Sequence, residues 1–138
     1  MSLTPEQQAA ALAETSVAVT AGAGTGKTYM LAERYLYYLR DRNYSPLEIV
    51  ATTFTEKAAK ELRSRIRMLV SQQMSDRADL VAELEAAQIS TIHALAARIC
   101  REHPQSAGVP YDFTILDDVE RKLWQSDRLD DALDKLPD

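Results

Sequence analysis

The stretch A-G-A-G-T-G-K-T, residues 21–28, decides the fold. It follows the short apolar run S-V-A-V-T at residues 16–20 and precedes a helical pattern that begins at about Lys27. A strand, a glycine-rich turn and a helix in this order are the context in which such a loop binds phosphate groups. Glycines at alternate positions of the loop permit backbone angles with positive φ, so that successive N–H groups can point at a polyphosphate. We therefore expect a phosphate loop, supported by the positive end of the following helix.

Two side chains at the end of this loop are expected to complete the site. Lys27 would reach the β and γ phosphates of a nucleotide, and the hydroxyl of Thr28 would ligate Mg²⁺. The pattern usually opens with glycine, whereas Ala21 stands at that position, where another small residue fits. The alternative is a loop rich in Gly and Thr that binds nothing. The K-T pair after the third glycine disfavours that alternative.

Composition indicates an ordinary soluble domain. The chain has 138 residues, of which 46% are hydrophobic and 27% charged, and this suffices for one domain with a core of its own. Because no apolar run approaches the length of a membrane span and no signal pattern opens the chain, we expect a cytoplasmic protein without a membrane partner. The lone Cys100 excludes an internal disulfide and a cysteine cluster for zinc, and its apolar setting predicts a buried structural thiol.

Charge is unevenly distributed along the chain. The net charge of −5 would argue against nucleic acid if it were evenly spread. Residues 27–67, however, hold nine Lys/Arg against five Asp/Glu, a balance of +4, and the remainder holds seven against sixteen, or −9. A basic face on an acidic chain can bind a phosphate backbone because binding follows the local potential. An ordinary solvated helix surface explains the composition equally well.

Apolar periodicity predicts strands alternating with helices, and hence an α/β fold with a parallel sheet. The predicted strands are 16–20, 48–54, 88–91 and 113–116. The predicted helices are about 5–13, 27–40, 56–74, 75–87, 92–102 and one from 117 onwards. Capping boxes mark the first helix, at Thr4 and Gln7, and the last, at Asp117 and Glu120. The expected buried stripe of the helix after the loop is Met30, Leu31, Tyr35, Tyr38 and Leu39.

Ligands of an open α/β sheet bind where its parallel strands end. The second and third predicted strands deliver T-F-T-E-K-A-A at 53–59 and T-I-H at 91–93 to that place. Phe54 or His93 could stack there on an unpaired base. Considered alone, Phe54 would more often be a core residue and His93 a hydrogen-bonded structural histidine.

Taken together, five segments resemble the superfamily 1 DNA helicases of the UvrD/Rep kind. They are L-T-P-E-Q at 3–7, A-G-A-G-T-G-K-T at 21–28, T-F-T-E-K-A-A at 53–59, S-T-I-H-A-L at 90–95 and D-F-T-I-L-D-D at 112–118. The order and spacing of these segments, like their residues, agree with the family. The alanine that opens the loop is a family feature. The resemblance covers nearly the whole chain.

The resemblance implies a P-loop NTPase (RecA-like) parallel sheet flanked by helices, in a motor that moves 3′ to 5′ on single-stranded DNA with ATP and Mg²⁺ as cofactors. Lys27 would be the catalytic residue and Thr28 the metal ligand. The nucleotide-binding residues would be Gln7, Ala21, Gly22, Ala23, Gly24, Thr25, Gly26, Lys27, Thr28 and Tyr29. The DNA-binding residues would be Phe54, Thr55, Lys57, Thr91 and His93.

Two details concern the branch of the family. The exonuclease-type branch that includes RecB and AddA is favoured by two segments, E-K-A-A at 56–59 and I-C-R-E-H-P-Q-S-A-G at 99–108. Tyr29 stands where many UvrD-like members have an arginine that lies over the adenine. A tyrosine ring can stack there, or it can pack into the sheet.

The chain has no strand that ends in D-E-x-Q, the acidic pair that completes magnesium binding in the family, and no arginine fingers from a second motor domain. We expect residues 1–116 to be the N-terminal part of the first motor domain, truncated before the Walker B strand. Residues 117–138 would begin an inserted subdomain or a linker. Expected partners are single-stranded DNA and the rest of the helicase, with a nuclease subunit as a further candidate.

Other functions remain open at this point. A small metabolite kinase would need a lid with arginines, and a GTPase would need N-K-x-D; neither pattern is visible. The serious alternative is a stand-alone nucleotide-binding module without hydrolytic activity.

Overall fold

The computed structural model describes residues 3–20, 22, 24 and 26–134, and the chain forms two compact units, Met1–Ala96 and Ala97–Asp138. The helices are α1 (Pro5–Leu12), α2 (Lys27–Arg40), α3 (Glu56–Gln73), α4 (Ala78–Ala86), α5 (Ile92–Glu102), α6 (Pro104–Ala107) and α7 (Asp118–Leu133). A 3-10 helix spans Pro46–Glu48, and the strands are β1 (Val50–Thr53) and β2 (Gln88–Thr91).

Two parallel strands form the sheet. β1 pairs with β2 in the register Val50↔Gln88 to Thr53↔Thr91. The α3 and α4 helices connect them, as a parallel pair requires a crossover. The prediction of an α/β fold with parallel strands is confirmed for this pair. We call the place where both strands end, at Thr53 and Thr91, the carboxyl edge.

Two predicted strands are absent. Residues 16–20 and 113–116 pair with no strand among the residues that the structure describes, so both predictions are wrong. Apolar character alone made these segments resemble strands, whereas a strand exists only when its backbone N–H and C=O groups find a ladder. Val17 and Val19 are correspondingly 48% and 45% exposed.

Local signals fix the ends of the helices as expected. Thr4 caps α1 in a capping box with Gln7, and Asp117 caps α7 in a capping box with Glu120. At the other end of α1, Arg34 Nη1 donates to the carbonyl oxygen of Ala10 at 2.6 Å. This arginine of α2 thus satisfies a terminal carbonyl of α1 and ties the two helices together.

The core of the first unit lies where α2, α3 and α4 pack with the two strands. Of the stripe predicted for α2, Tyr35 and Leu39 belong to this core, whereas Leu31 is 37% exposed and Leu36, which was not predicted, is buried. One face of α3 is almost wholly buried. The core cluster comprises Ala32, Tyr35, Leu36, Leu39, Ala51, Leu62, Ile66, Leu69, Val70, Met74, Leu80, Leu84, Ala87 and Ile89.

The second unit contains most of α5, then α6 and α7. Within it the Arg101 guanidinium carbon lies 5.3 Å from the centroid of the Phe113 ring. Cys100 is half-buried, so the expectation of a buried thiol is met only in part. Apolar residues of α7 such as Trp124, at 53% exposure, remain accessible. Across the described part of the chain, no helix combines the length and apolarity needed to cross a bilayer.

Candidate functional site

The glycine-rich loop adopts the backbone conformation expected for part of its length. Gly24 has a φ of 75° and Gly26 a φ of 78°, both in the left-handed region that favours glycine. Gly26 also begins α2 as its N-cap residue. Ala21, Ala23 and Thr25, three of the predicted nucleotide-binding residues, lie outside the described residues.

Lys27 and Gln7 both lie against this loop. Lys27 Nζ donates to the carbonyl oxygen of Gly22 at 2.6 Å, so the ammonium group lies across the loop from the start of α2. A Cβ atom added at Gly26 would lie 3.5 Å from Gln7 Nε2, and Gln7 Oε1 accepts a hydrogen bond from the Thr4 backbone at 2.9 Å. The capping box of α1 therefore holds the Gln7 amide beside the loop.

One pocket joins the loop to the end of β1. It has a volume of about 330 Å³, and its lining includes Lys27 and Thr28 on one side and Thr53, Phe54 and Thr55 on the other. Thr28 is half-buried there. The structure thus brings together the lysine and threonine of the loop and the T-F-T segment, as the sequence predicted.

The turn after β1 presents Phe54 to solvent. Its side chain is 89% exposed, so the interpretation of Phe54 as a core residue is wrong. The turn itself is held by hydrogen bonds, because Thr53 Oγ1 donates to the Thr55 carbonyl at 3.0 Å and Thr55 Oγ1 accepts from the Ala58 amide at 3.1 Å. The Thr55 hydroxyl therefore acts as the N-cap of α3.

The T-I-H segment leaves β2 at the same edge. Thr53 and Thr91 are register partners in the parallel pair, so the chain turns into α3 and into α5 side by side. His93 is exposed in the first turn of α5. Thr91 is only 5% exposed, and its hydroxyl accepts from the Ala94 amide at 3.2 Å. The predicted contact of Thr91 with DNA remains a prediction, since its side chain is engaged inside the protein.

Glu56 is the residue of this site that sequence reasoning missed. Its Oε1 atom accepts a hydrogen bond from Thr91 Oγ1 at 3.0 Å, linking the first turn of α3 to the last residue of β2. The residues are 35 positions apart, so no local pattern indicated the pair. The only signal in the sequence was an acidic residue within a segment expected to approach phosphates.

The basic face of α3 is smaller than its composition suggested. Arg65 pairs with Glu61, and Arg67 pairs with Glu85. Lys57 and Lys60, one turn apart and exposed, have no carboxylate partner among the described residues. These two lysines therefore provide the unneutralised positive charge nearest to Phe54 along the helix.

Tyr29 lies between the core and a groove. Its ring packs against the core cluster, and the Arg65 guanidinium carbon lies 5.8 Å from the ring centroid. A hydrogen bond with the Glu33 carboxylate raises the pKa of Tyr29, burial and the charge of Glu33 raise it further, and Arg65 lowers it. The groove, of about 350 Å³ between α1 and α2, also has Gln8 and Leu12 in its lining.

The sequence is similar to known helicases. It is 35% identical over 117 residues to the ATP-dependent DNA helicase PcrA of Staphylococcus epidermidis, covering 85% of this chain and 15% of that protein. It is 34% identical over 119 residues to the enzyme of the same name from Staphylococcus aureus, covering 86% of this chain and 15% of that protein. The chain thus spans about 15% of the length of these relatives.

Both relatives are named PcrA, and the preference for the RecB and AddA branch stays a prediction. Residues 3–137 match the family described as the UvrD/REP helicase N-terminal domain. That match covers nearly the whole chain and agrees with the resemblance drawn from the five segments. The chain belongs to the UvrD/REP helicase N-terminal domain family.

Proposed function

We propose that this chain is the ATP-binding and single-stranded-DNA-contacting part of an ATP-dependent 3′–5′ DNA helicase, with a P-loop NTPase (RecA-like) fold. The observation that carries the proposal is the shared pocket in which Lys27 and Thr28 face Thr53, Phe54 and Thr55. A nucleotide site and an exposed aromatic side chain therefore meet at one edge of the sheet. Membership of the UvrD/REP family supports the same interpretation.

The loop residues fit a nucleotide with its magnesium ion. Gly24 and Gly26 have the left-handed conformation that lets successive backbone amides of such a loop converge on phosphate oxygens. Lys27 would neutralise phosphate charge, and the Thr28 hydroxyl would hold Mg²⁺. The Gln7 amide, held beside Gly26, would recognise the adenine edge, with Tyr29 close to the base. ATP supplies the free energy for movement, while these side chains bind and orient it.

The carboxyl edge suits a single strand of DNA. The ring of Phe54 is 89% exposed and can stack on a base without a change in the fold. His93 would make a second contact from the start of α5, and Thr55 lies next to Phe54 at the start of α3. Lys57 and Lys60 would attract the phosphate backbone, because neither forms an ion pair in the described part of the chain.

Hydrolysis needs groups beyond those found here. The sequence contains no D-E-x-Q segment, and we propose that this acidic pair and the arginine fingers of a second motor domain belong to the remainder of a longer helicase. The 138-residue chain alone should therefore bind ATP with little or no hydrolysis. A cytoplasmic location and a nuclease partner subunit remain predictions of the sequence.

Paired binding measurements test this proposal. We expect the chain to bind ATP with Mg²⁺ by calorimetry and a labelled single-stranded oligonucleotide by fluorescence anisotropy at low salt. Lys27→Ala should weaken ATP binding by roughly 10- to 100-fold, as loss of a charged hydrogen-bond donor predicts, and should leave DNA binding intact. Lys122→Ala, which removes an exposed lysine of α7 in the other unit, is the matched control.

Two outcomes would count against the proposal. ATP affinity equal in Lys27→Ala and in the original chain would remove the loop from nucleotide binding. Normal ATP binding without detectable DNA binding at low salt would instead favour the alternative of a stand-alone nucleotide-binding module.

A further inference from the structure

A short hydrogen-bond chain crosses the carboxyl edge of the sheet. Thr91 Oγ1 donates to Glu56 Oε1 at 3.0 Å and accepts from the Ala94 amide at 3.2 Å. It therefore links the first turn of α3 to the first turn of α5. Because Thr91 is only 5% exposed, its hydroxyl needs partners inside the protein, and Glu56 is one of them.

These hydrogen bonds lie just beyond the sheet, where backbone pairing no longer holds the two segments together. The ladder between β1 and β2 ends at the pair Thr53↔Thr91, and the chain turns from there into two different helices. Phe54 directly follows Thr53, the last residue of β1, and His93 comes two residues after Thr91, the last residue of β2. The Glu56–Thr91 hydrogen bond is a side-chain link between the segments that carry these two exposed rings.

We infer that Glu56 is a positioning residue for strand binding: by holding Thr91 it keeps the T-I-H segment beside the start of α3, so that Phe54 and His93 face one strand together. The inference rests on the proposed function, since it assigns a role within the same DNA surface. It names a residue that the resemblance did not assign to DNA binding.

The charge of Glu56 gives the inference its sharpest test. A carboxylate in the first turn of α3, one residue from Lys57, repels the phosphates that this edge is proposed to bind. If its charge were all that mattered, any neutral replacement would strengthen DNA binding. If its acceptor atom matters, the result depends on whether the replacement keeps that atom.

Glu56→Gln and Glu56→Ala form a pair matched in charge. Both remove the carboxylate, but only glutamine retains an Oε1 atom that can accept from Thr91. We expect Glu56→Gln to bind a labelled single-stranded oligonucleotide at least as tightly as the original chain. Glu56→Ala should bind it about fivefold more weakly, as expected for one lost hydrogen bond. ATP affinity should be unchanged in both, because Glu56 is absent from the lining of the pocket around Lys27.

Two further measurements distinguish positioning from a general loss of structure. Amide hydrogen exchange at Ala94 should quicken in Glu56→Ala and not in Glu56→Gln, since the Thr91 hydroxyl then loses its anchor. The double variant Glu56→Ala/Thr91→Val should bind DNA as tightly as Thr91→Val alone, because both substitutions remove the same hydrogen bond between the two side chains.

The possible failures are distinguishable. If the original chain binds no single-stranded DNA at low salt, the proposed function is overturned, and this inference with it. If the original chain binds DNA but the two Glu56 variants have equal affinity, the inference alone is overturned, and Glu56 acts at most through its charge.

Discussion

Phe54→Ala should separate strand binding from folding. The Phe54 side chain is 89% exposed, so only about a tenth of its area, roughly 20 of about 200 Å², is removed from water. At about 25 cal/mol per Å², truncation should cost only about 0.5 kcal/mol of unfolding free energy. A phenylalanine in a core would cost about 3–5 kcal/mol.

The effect on DNA affinity should be much larger. Stacking of a base on an aromatic side chain contributes about 1–3 kcal/mol, which corresponds to a loss of roughly 5- to 150-fold in affinity. Fluorescence anisotropy with a labelled single strand measures the affinity, and urea unfolding measures the stability. Tyr111→Ala is the control, since Tyr111 is an aromatic residue 75% exposed in the other unit. Unchanged DNA affinity in Phe54→Ala, with the original chain binding normally, would refute this reasoning.

Two further predictions concern charge. Lys57→Gln should reduce the slope of log affinity for single-stranded DNA against log salt by about 0.7, the value for one phosphate contact, whereas Lys122→Gln should leave the slope unchanged; equal slopes in the two variants would contradict the contact. Burial raises the pKa of Tyr35 to about 12. The stability that its neutral form provides is therefore complete below about pH 10 and is lost as pH rises from there towards 12, by up to roughly 3 kcal/mol. Urea unfolding across this range should show a shallower loss in Tyr35→Phe, and the same loss in both proteins would exclude Tyr35 as its cause.

Features encoded within a few residues could be predicted well. The capping boxes at Thr4 and Asp117 place a hydroxyl or carboxylate three residues before a partner side chain, and both form as expected. The bounds of β2, Gln88–Thr91, also match the prediction. For the capping boxes the physical cause lies in adjacent residues, so a single sequence contains the necessary information, whereas β2 also depends on its pairing with β1.

Features that depend on a distant partner could not be predicted. Residues 16–20 have the composition of a strand, but pairing decides whether a strand exists, and the described residues offer this segment no ladder. The α2 stripe was predicted in part: Met30, Tyr35 and Leu39 are buried as expected, whereas Leu36 is buried and Leu31 is exposed. The Glu56–Thr91 bond belongs to the same class, as it depends on the register of two strands.

The architecture also explains why binding and stability should be separable. α2 begins at Lys27, α3 at Glu56 and α5 at Ile92, and these helix starts follow the loop or the strand ends that form the candidate site. Each start carries the partial positive charge of a helix amino end, which favours anionic ligands. Large buried side chains of α2 and α3, such as Leu36 and Ile66, lie two turns or more beyond those starts. Substitutions of exposed residues in the first turns should therefore change affinity for nucleotide or DNA, whereas substitutions of the buried residues further along should change the free energy of unfolding.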